Sequence, residues 1–202
     1  MVRIRSVFSS SKKLALESSL GFLAASATDV HPSLKTPAPT PIDLNTKLCV
    51  FDPHVFIVHP GQSVRFLNVG SEPHSANFGI IQNNLIGLAV VGGWLFPFPH
   101  GERTPTPIEC NIHPWMKAHM LLFDLPCSGL SDEKGVLKIE KLPASMPITF
   151  KIWHEKMDKS IDQVTFNEKP VDWPRGNVQW TLQPGMNDLG IVKISPNEFK
   201  TK

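Results

Sequence analysis

Prolines cut this chain into short pieces: nineteen of them stand in 202 residues, against thirteen glycines. Each removes a backbone donor and blocks a helix interior, so their spacing leaves no room for long helices. No segment sustains a helical period for three turns, and no period of about 20–50 residues recurs to suggest a repeat array. Strands remain. From Leu48 onward the apolar residues come in short runs broken by Pro and Gly. Along residues 63–68, Val64, Phe66 and Asn68 share one face while Arg65 and Leu67 share the other, the period of two that a strand requires. Ile148, Phe150 and Ile152 alternate with Thr149, Lys151 and Trp153 in the same way. The pattern predicts an all-β protein with strands over residues 55–59, 63–68, 120–124, 135–141, 148–154, 178–182 and 190–194.

With 41% hydrophobic and 19% charged residues, the chain can bury one sizeable core or two modest ones. The polar, turn-rich stretch SGLSDEKG at 128–135 divides it into two β units. The net charge is +2 and the basic residues are scattered, so nothing resembles the basic stripe of a nucleic-acid surface. Nucleic acid is excluded as the main partner.

At the amino terminus Arg3, Arg5, Lys12 and Lys13 precede an apolar stretch over 14–27 that ends in Ala25-Ser26-Ala27. That is the order of a secretory signal, interrupted by Glu17, and it implies a periplasmic or secreted protein. The plainer alternative is an amphipathic or disordered tail. The stretch falls short of the roughly 20 apolar residues that a bilayer crossing needs, so no membrane span is expected. Pro32, Pro37, Pro39 and Pro41 make the next segment an extended tether, and residues 1–42 together read as leader and linker ahead of the folded part. Cys49 and Cys127 could bridge in an oxidising compartment; two inert buried thiols are the plainer reading. The segment LIGLAVVGGWLFPF at 85–98 reads as a buried strand and turn or as an apolar patch for docking a partner.

The chemistry concentrates in Cys110-Asn111-Ile112-His113-Pro114-Trp115-Met116, which offers a thiolate, an imidazole and a thioether within seven residues. Soft sulfur ligands beside imidazole favour copper over magnesium, calcium or manganese. Donors so close in sequence converge only from a loop, which Pro114 helps by denying it a regular helix. A fourth ligand must come from elsewhere, and His74 is the best candidate because it follows the strand at 63–68 after a short loop. His119 and Met120 lie close enough to compete, and Met116 could instead fill the core.

The upstream half, with Gly61-Gln62-Ser63-Val64-Arg65-Phe66-Leu67-Asn68, Pro73-His74 and Asn77-Phe78, joins the Cys-x2-His-x2-Met loop in a pattern that resembles the cupredoxin family of type 1 blue copper proteins. The amicyanins, with the related plastocyanins, are the nearest in pattern. The resemblance covers residues 48–125. It implies a Greek-key β-sandwich over residues 43–127 and one type 1 copper held by His74, Cys110 and His113, with Met116 as weak axial ligand. It also implies a one-electron carrier, no enzyme, whose electrons leave through the edge of His113 within an apolar collar that includes Trp115. No particular redox partner is named by the residues. The family usually has Asn directly after the first ligand histidine; this chain has Ser75, which bears on how the metal would be tuned.

Residues 131–155, running turn, strand, Leu142-Pro143 and strand, resemble the carboxypeptidase regulatory-like, or transthyretin-like, β-sandwich. Residues 128–202 would then be a structural or adhesive β module. No His-x-x-Glu zinc pair accompanies it, and no His-x-His pair exists to build the trinuclear centre of a multicopper oxidase. His54 and His59 should hydrogen-bond locally, His31 and His100 should be solvated, and His154 beside Glu155 lacks a nucleophile for acid–base work. Trp94, Trp153, Trp173 and Trp180 read as packing. The alternative function is a β-sandwich interaction protein that carries no metal, or handles copper without redox activity.

Overall fold

The structure is a computed structural model, and it describes residues 1–8, 24–27, 40–79, 88–90, 93–102, 104–123, 127–157 and 162–195. Among them the regular structure is all strand apart from one 3-10 turn, Pro174–Gly176. The chain divides into two compact units: Leu34–Pro126, and a second formed by Met1–Ser33 together with Cys127–Lys202.

Two strands open the chain, β1 (Val2–Phe8) and β2 (Ala24–Ala27). The unit that follows contains β3 (Ile42–Lys47), β4 (Val50–Asp52), β5 (Val55–Val58), β6 (Ser63–Asn68), β7 (His74–Phe78), β8 (Leu88–Val90), β9 (Gly93–Pro97), β10 (Thr106–Glu109) and β11 (Lys117–Leu122). They form two sheets, ordered β4-β3-β6-β9 and β5-β11-β10-β7-β8. Residues at every second position of both sheets meet in one core: Leu44, Phe66 and Phe96 from the first, Phe56, Ile108 and Met120 from the second. A β-sandwich therefore surrounds the residues of interest, as expected of the class. β3 and β6 pair in parallel with Leu44 opposite Phe66, and Arg65 forks onto Asp43 in the neighbouring pair at 2.7 and 2.8 Å.

The second unit adds β12 (Ser128–Leu130), β13 (Val136–Ile139), β14 (Pro147–Trp153), β15 (Gln163–Phe166), β16 (Lys169–Asp172), β17 (Asn177–Thr181) and β18 (Asn187–Ile194). Its sheets are ordered β13-β1-β18-β15-β16 and β12-β2-β14-β17. Leu137, Ile148, Phe150, Val192 and Trp173 are buried in this unit.

The amino-terminal segment departs from its reading as leader and linker. β1 pairs with β13 on one side and runs parallel to β18 on the other, while β2 lies between β12 and β14. The signal-like charge order masks a period of two in Val2-Arg3-Ile4-Arg5, which is a strand pattern. Residues 9–23, and the tether over 28–39 with His31, lie outside the described residues. The polar stretch at 128–135, read as the division between the β units, begins just past the boundary at Pro126/Cys127. It holds β12 and a turn in which the Asp132 carboxylate accepts the N–H groups of Lys134 and Val136 at 2.9 and 2.8 Å. Within 85–98, β9 has Phe96 buried and Leu95 exposed, and residues 85–87 and 91–92 lie outside the described residues. No helix among the described residues is long and apolar enough to cross a membrane.

Candidate metal centre

The hairpin of β10 and β11 explains why donors three residues apart can meet. Its register runs from Thr106 opposite Met120 to Glu109 opposite Lys117, so Cys110 and Met116 form the next facing pair. The Cys110 N–H donates to the Met116 carbonyl at 3.2 Å, which closes the stem. Facing residues of an antiparallel pair project from the same side, so both sulfur-bearing side chains turn inward, where Cys110 is 2% exposed and Met116 1%. Asn111 to Trp115 form the loop, and His113 stands at its middle, its carbonyl accepting the Met116 N–H at 2.9 Å.

His74 comes from another strand. β7 lies between β8 and β10, with Asn77 opposite Glu109, and this register brings the start of β7 beside the residues that follow β10. Ahead of it, the Thr46 hydroxyl donates to the Asn68 side-chain oxygen at 2.9 Å and the Asn68 amide donates to the Glu72 carbonyl at 2.8 Å. These bonds tie the ends of β3 and β6 to the loop that delivers His74.

His74, Cys110 and His113 each present one donor atom, all within 4.8 Å of one another. The two Nδ1 atoms are 3.1 Å apart, and Cys110 Sγ is 3.8 Å from His113 Nδ1. Bonds of about 2.05 Å to nitrogen and about 2.3 Å to sulfur would span such separations at angles of roughly 100° and 120°. Both separations therefore suit a single ion, and the His74 donor lies within 4.8 Å of the Cys110 sulfur. Two imidazoles, a thiolate and a nearby thioether are the donor set of a trigonal copper site with a weak axial ligand, so the residues fit copper. Met116 packs in the same buried cluster as Cys110.

The Cys110 sulfur is surrounded by donors. Burial pushes its thiol up, but the N–H of Ser75 at 3.4 Å, the N–H groups of His113 and Ile112, and the Ser75 hydroxyl at 3.7 Å outweigh it and bring the thiol down to about 6. The thiolate is the metal-binding form. At Cys127 burial is uncompensated and pushes the thiol up, leaving it a weak donor to the Lys141 carbonyl at 3.7 Å. Cys49 and Cys127 are both free, so the bridge between them is not formed.

His113 is half-buried, with its ring centroid 4.8 Å from that of His74 and 5.1 Å from that of Trp115. Trp115, beside the ring, and Ile112, the preceding loop residue, are 67% and 46% exposed, so the loop presents apolar side chains at the surface. The competing donors lie elsewhere. β11 begins at Lys117, three residues before the expected strand, and its alternation puts the His119 side chain on the face opposite Met116; the His119 backbone N–H donates to the His54 carbonyl at 2.8 Å. Met120 shares the inward face but stands four residues along, about 13 Å at strand rise.

Elsewhere, the His59 backbone N–H donates to Gln62 Oε1 at 2.9 Å while its buried ring Nδ1 meets no hydrogen-bond partner among the described residues, His100 is exposed, and His154 Nδ1 accepts the Lys156 backbone N–H at 3.1 Å. Trp173 packs edge-on against Trp180, a structural role. Ser75 stands out in the sequence as a departure whose hydroxyl can still bond backbone, and the register of the strands makes Asn111 its partner, the Asn111 N–H donating to the Ser75 hydroxyl oxygen at 2.8 Å.

No protein-family model matches the chain, and no curated protein matches it. Among solved structures it is similar to the copper-containing nitrite reductase of Thermus scotoductus SA-01, at 20% identity and a TM-score of 0.37 over 48% of this chain and 25% of that one. The chain thus spans far less than two thirds of the reductase. A reduced tryptophan-to-tyrosine variant of amicyanin matches at 14% identity and a TM-score of 0.36 over 49% of this chain and 98% of that one. A Cu(I) methionine-to-glutamine variant of amicyanin matches at 15% and 0.36 over 41% and 82%. At such scores the reading of the site rests on its own donor geometry.

Proposed function

We propose that the chain binds one copper ion in a type 1 site, with His74, Cys110 and His113 as close ligands and Met116 as a weak axial ligand, and works as a one-electron carrier. The observation that carries this reading is the convergence of two imidazole nitrogens and a stabilised thiolate within 4.8 Å, where the end of the β10–β11 hairpin meets the start of β7. Bound copper would supply the redox chemistry, gaining or losing one electron between Cu(II) and Cu(I).

The protein's part is to hold the donors still and keep water away. The stems of β10 and β11 fix Cys110 and Met116, and β7 fixes His74, so the ligand positions need little adjustment between oxidation states. His113 is the route by which an electron would pass, and Ile112, Pro114 and Trp115 offer an apolar collar suited to brief docking of a redox protein. Such a partner needs only to accept or donate one electron, which makes this a carrier and not an enzyme. We read the second unit as a structural or adhesive module.

The test is to add one equivalent of Cu(II) to the full chain. An intense blue thiolate-to-copper band and a reversible one-electron wave are expected, and Cys110→Ser should abolish the band. Tight Cu(I) binding without a wave would mean copper handling instead. No uptake at all would leave an interaction protein.

A further inference from the structure

We infer that His54 and His119 form a second metal site, built from nitrogen donors alone, that takes a divalent ion of the Cu(II) or Zn(II) class. The pairing of β5 with β11 brings the two residues together: the strands run parallel with Val55 opposite His119, so His54, just ahead of β5, stands beside His119. The His119 backbone N–H donates to the His54 carbonyl at 2.8 Å, which holds the two backbones in place. The rings meet nearly edge to face, with centroids 6.0 Å apart and planes at 78°. Each side chain brings a nitrogen within 4.8 Å of the other's, and both are half-buried.

An ion bound to two imidazoles at about 2.05 Å, with an angle of about 90–110° between the bonds, sets the nitrogens roughly 2.9–3.4 Å apart. Rotation about the side-chain bonds covers the remainder, since strand pairing fixes the backbones and not the rings. The pair is separate from the Cys110 centre. Ala118, Met120 and Leu122 of β11 face the core, as do Phe56 and Val58 of β5, whereas His119 takes the alternate position on the other face. It stands three residues beyond Met116, about 10 Å at strand rise. With no sulfur in the pair, nothing favours Cu(I); imidazole suits Cu(II) and Zn(II). Two imidazoles leave coordination positions over for water or an exchangeable anion, so this ion should leave more readily than copper at Cys110.

The experiment titrates the full chain with Cu(II) to two equivalents and compares His54→Gln, His119→Gln and the double variant, in which glutamine keeps a polar side chain of similar size. In the unaltered chain the second equivalent should add a tetragonal paramagnetic-resonance signal split by two nitrogens, with no gain in the blue band. Even a partner of a ligand contributes about 10–100-fold to metal affinity, so losing a ligand should weaken the second equivalent by at least that much in each variant. The blue band of the first equivalent should be unchanged in all of them, and urea unfolding checks that they fold. A second equivalent bound as tightly in the variants as in the unaltered chain would overturn the inference, because the ion would then sit on other histidines. No second equivalent bound would overturn it too, and leave the ring pair as packing. A chain without a blue band whose two-nitrogen signal is still lost in the variants would remove the copper reading above and leave this site standing.

Discussion

Cys110 and Cys127 are the same residue type in opposite states, and donors make the difference. Cys110 accepts the Ser75, Ile112 and His113 N–H groups, whereas Cys127 is buried and its thiol donates to the Lys141 carbonyl. A pH dependence follows for the metal-free protein. The folded Cys110 thiol sits at about 6, below its ordinary value of 9.0, so between those values the unfolded chain holds more protons than the folded one. Stability should therefore climb as pH rises from about 6 to 9, level off above 9.0, and lose this contribution below about 6. Urea unfolding across that range checks it. Cys110→Ser should flatten the climb, while Cys127→Ser should leave it unchanged up to about pH 8, because the Cys127 thiol, pushed up by burial, affects stability only as pH approaches and passes 9.0. At this scale the sequence was informative because Cys110, His113 and Met116 sit three residues apart, which is a loop-and-stem spacing. The partner of the Ser75 hydroxyl was not legible, since it depends on a pairing between strands more than thirty residues apart.

Elements differ in how openly their residues declare them. β6 has the alternation of Val64 and Phe66 against Arg65 and is found where expected. β10 hides behind Pro107, because a proline argues against an interior strand. Here β7 has ended at Phe78, opposite Ile108, and the Pro107 carbonyl accepts the Gly79 N–H at 2.9 Å. The β10–β11 hairpin makes loop length decisive: inserting one glycine between Ile112 and His113 should remove the blue band while leaving the melting temperature nearly unchanged, since the stem and core are untouched. Absorption and thermal unfolding read the two separately. In the other unit, a methyl at Gly129 would collide with the Lys138 carbonyl and press on Ile139. Gly129→Ala should cost about 1–3 kcal/mol of stability, measured by denaturant unfolding, with no effect on copper uptake.

For the whole molecule, the order of strands in space departs most from their order in sequence. β1 and β2 are both interior strands of the unit completed by Cys127–Lys202, and the candidate metal unit lies between them and β12 along the chain. No local pattern reveals this, because β1 pairs with β18 across more than 180 residues and its basic residues read as a leader. Deleting residues 1–27 should abolish the cooperative unfolding of the second unit, because both of its sheets lose an interior strand. It should leave copper binding intact, because β3 to β11 enclose a core of their own. Two-step unfolding monitored by tryptophan fluorescence and by the blue band would show it.

The most direct measurement is X-ray absorption at the copper edge on the full chain carrying one equivalent of copper. The expected spectrum contains two imidazole nitrogens and one short bond to a thiolate sulfur. A shell of nitrogen and oxygen alone, with no sulfur, would contradict the claim that His74, Cys110 and His113 hold one ion.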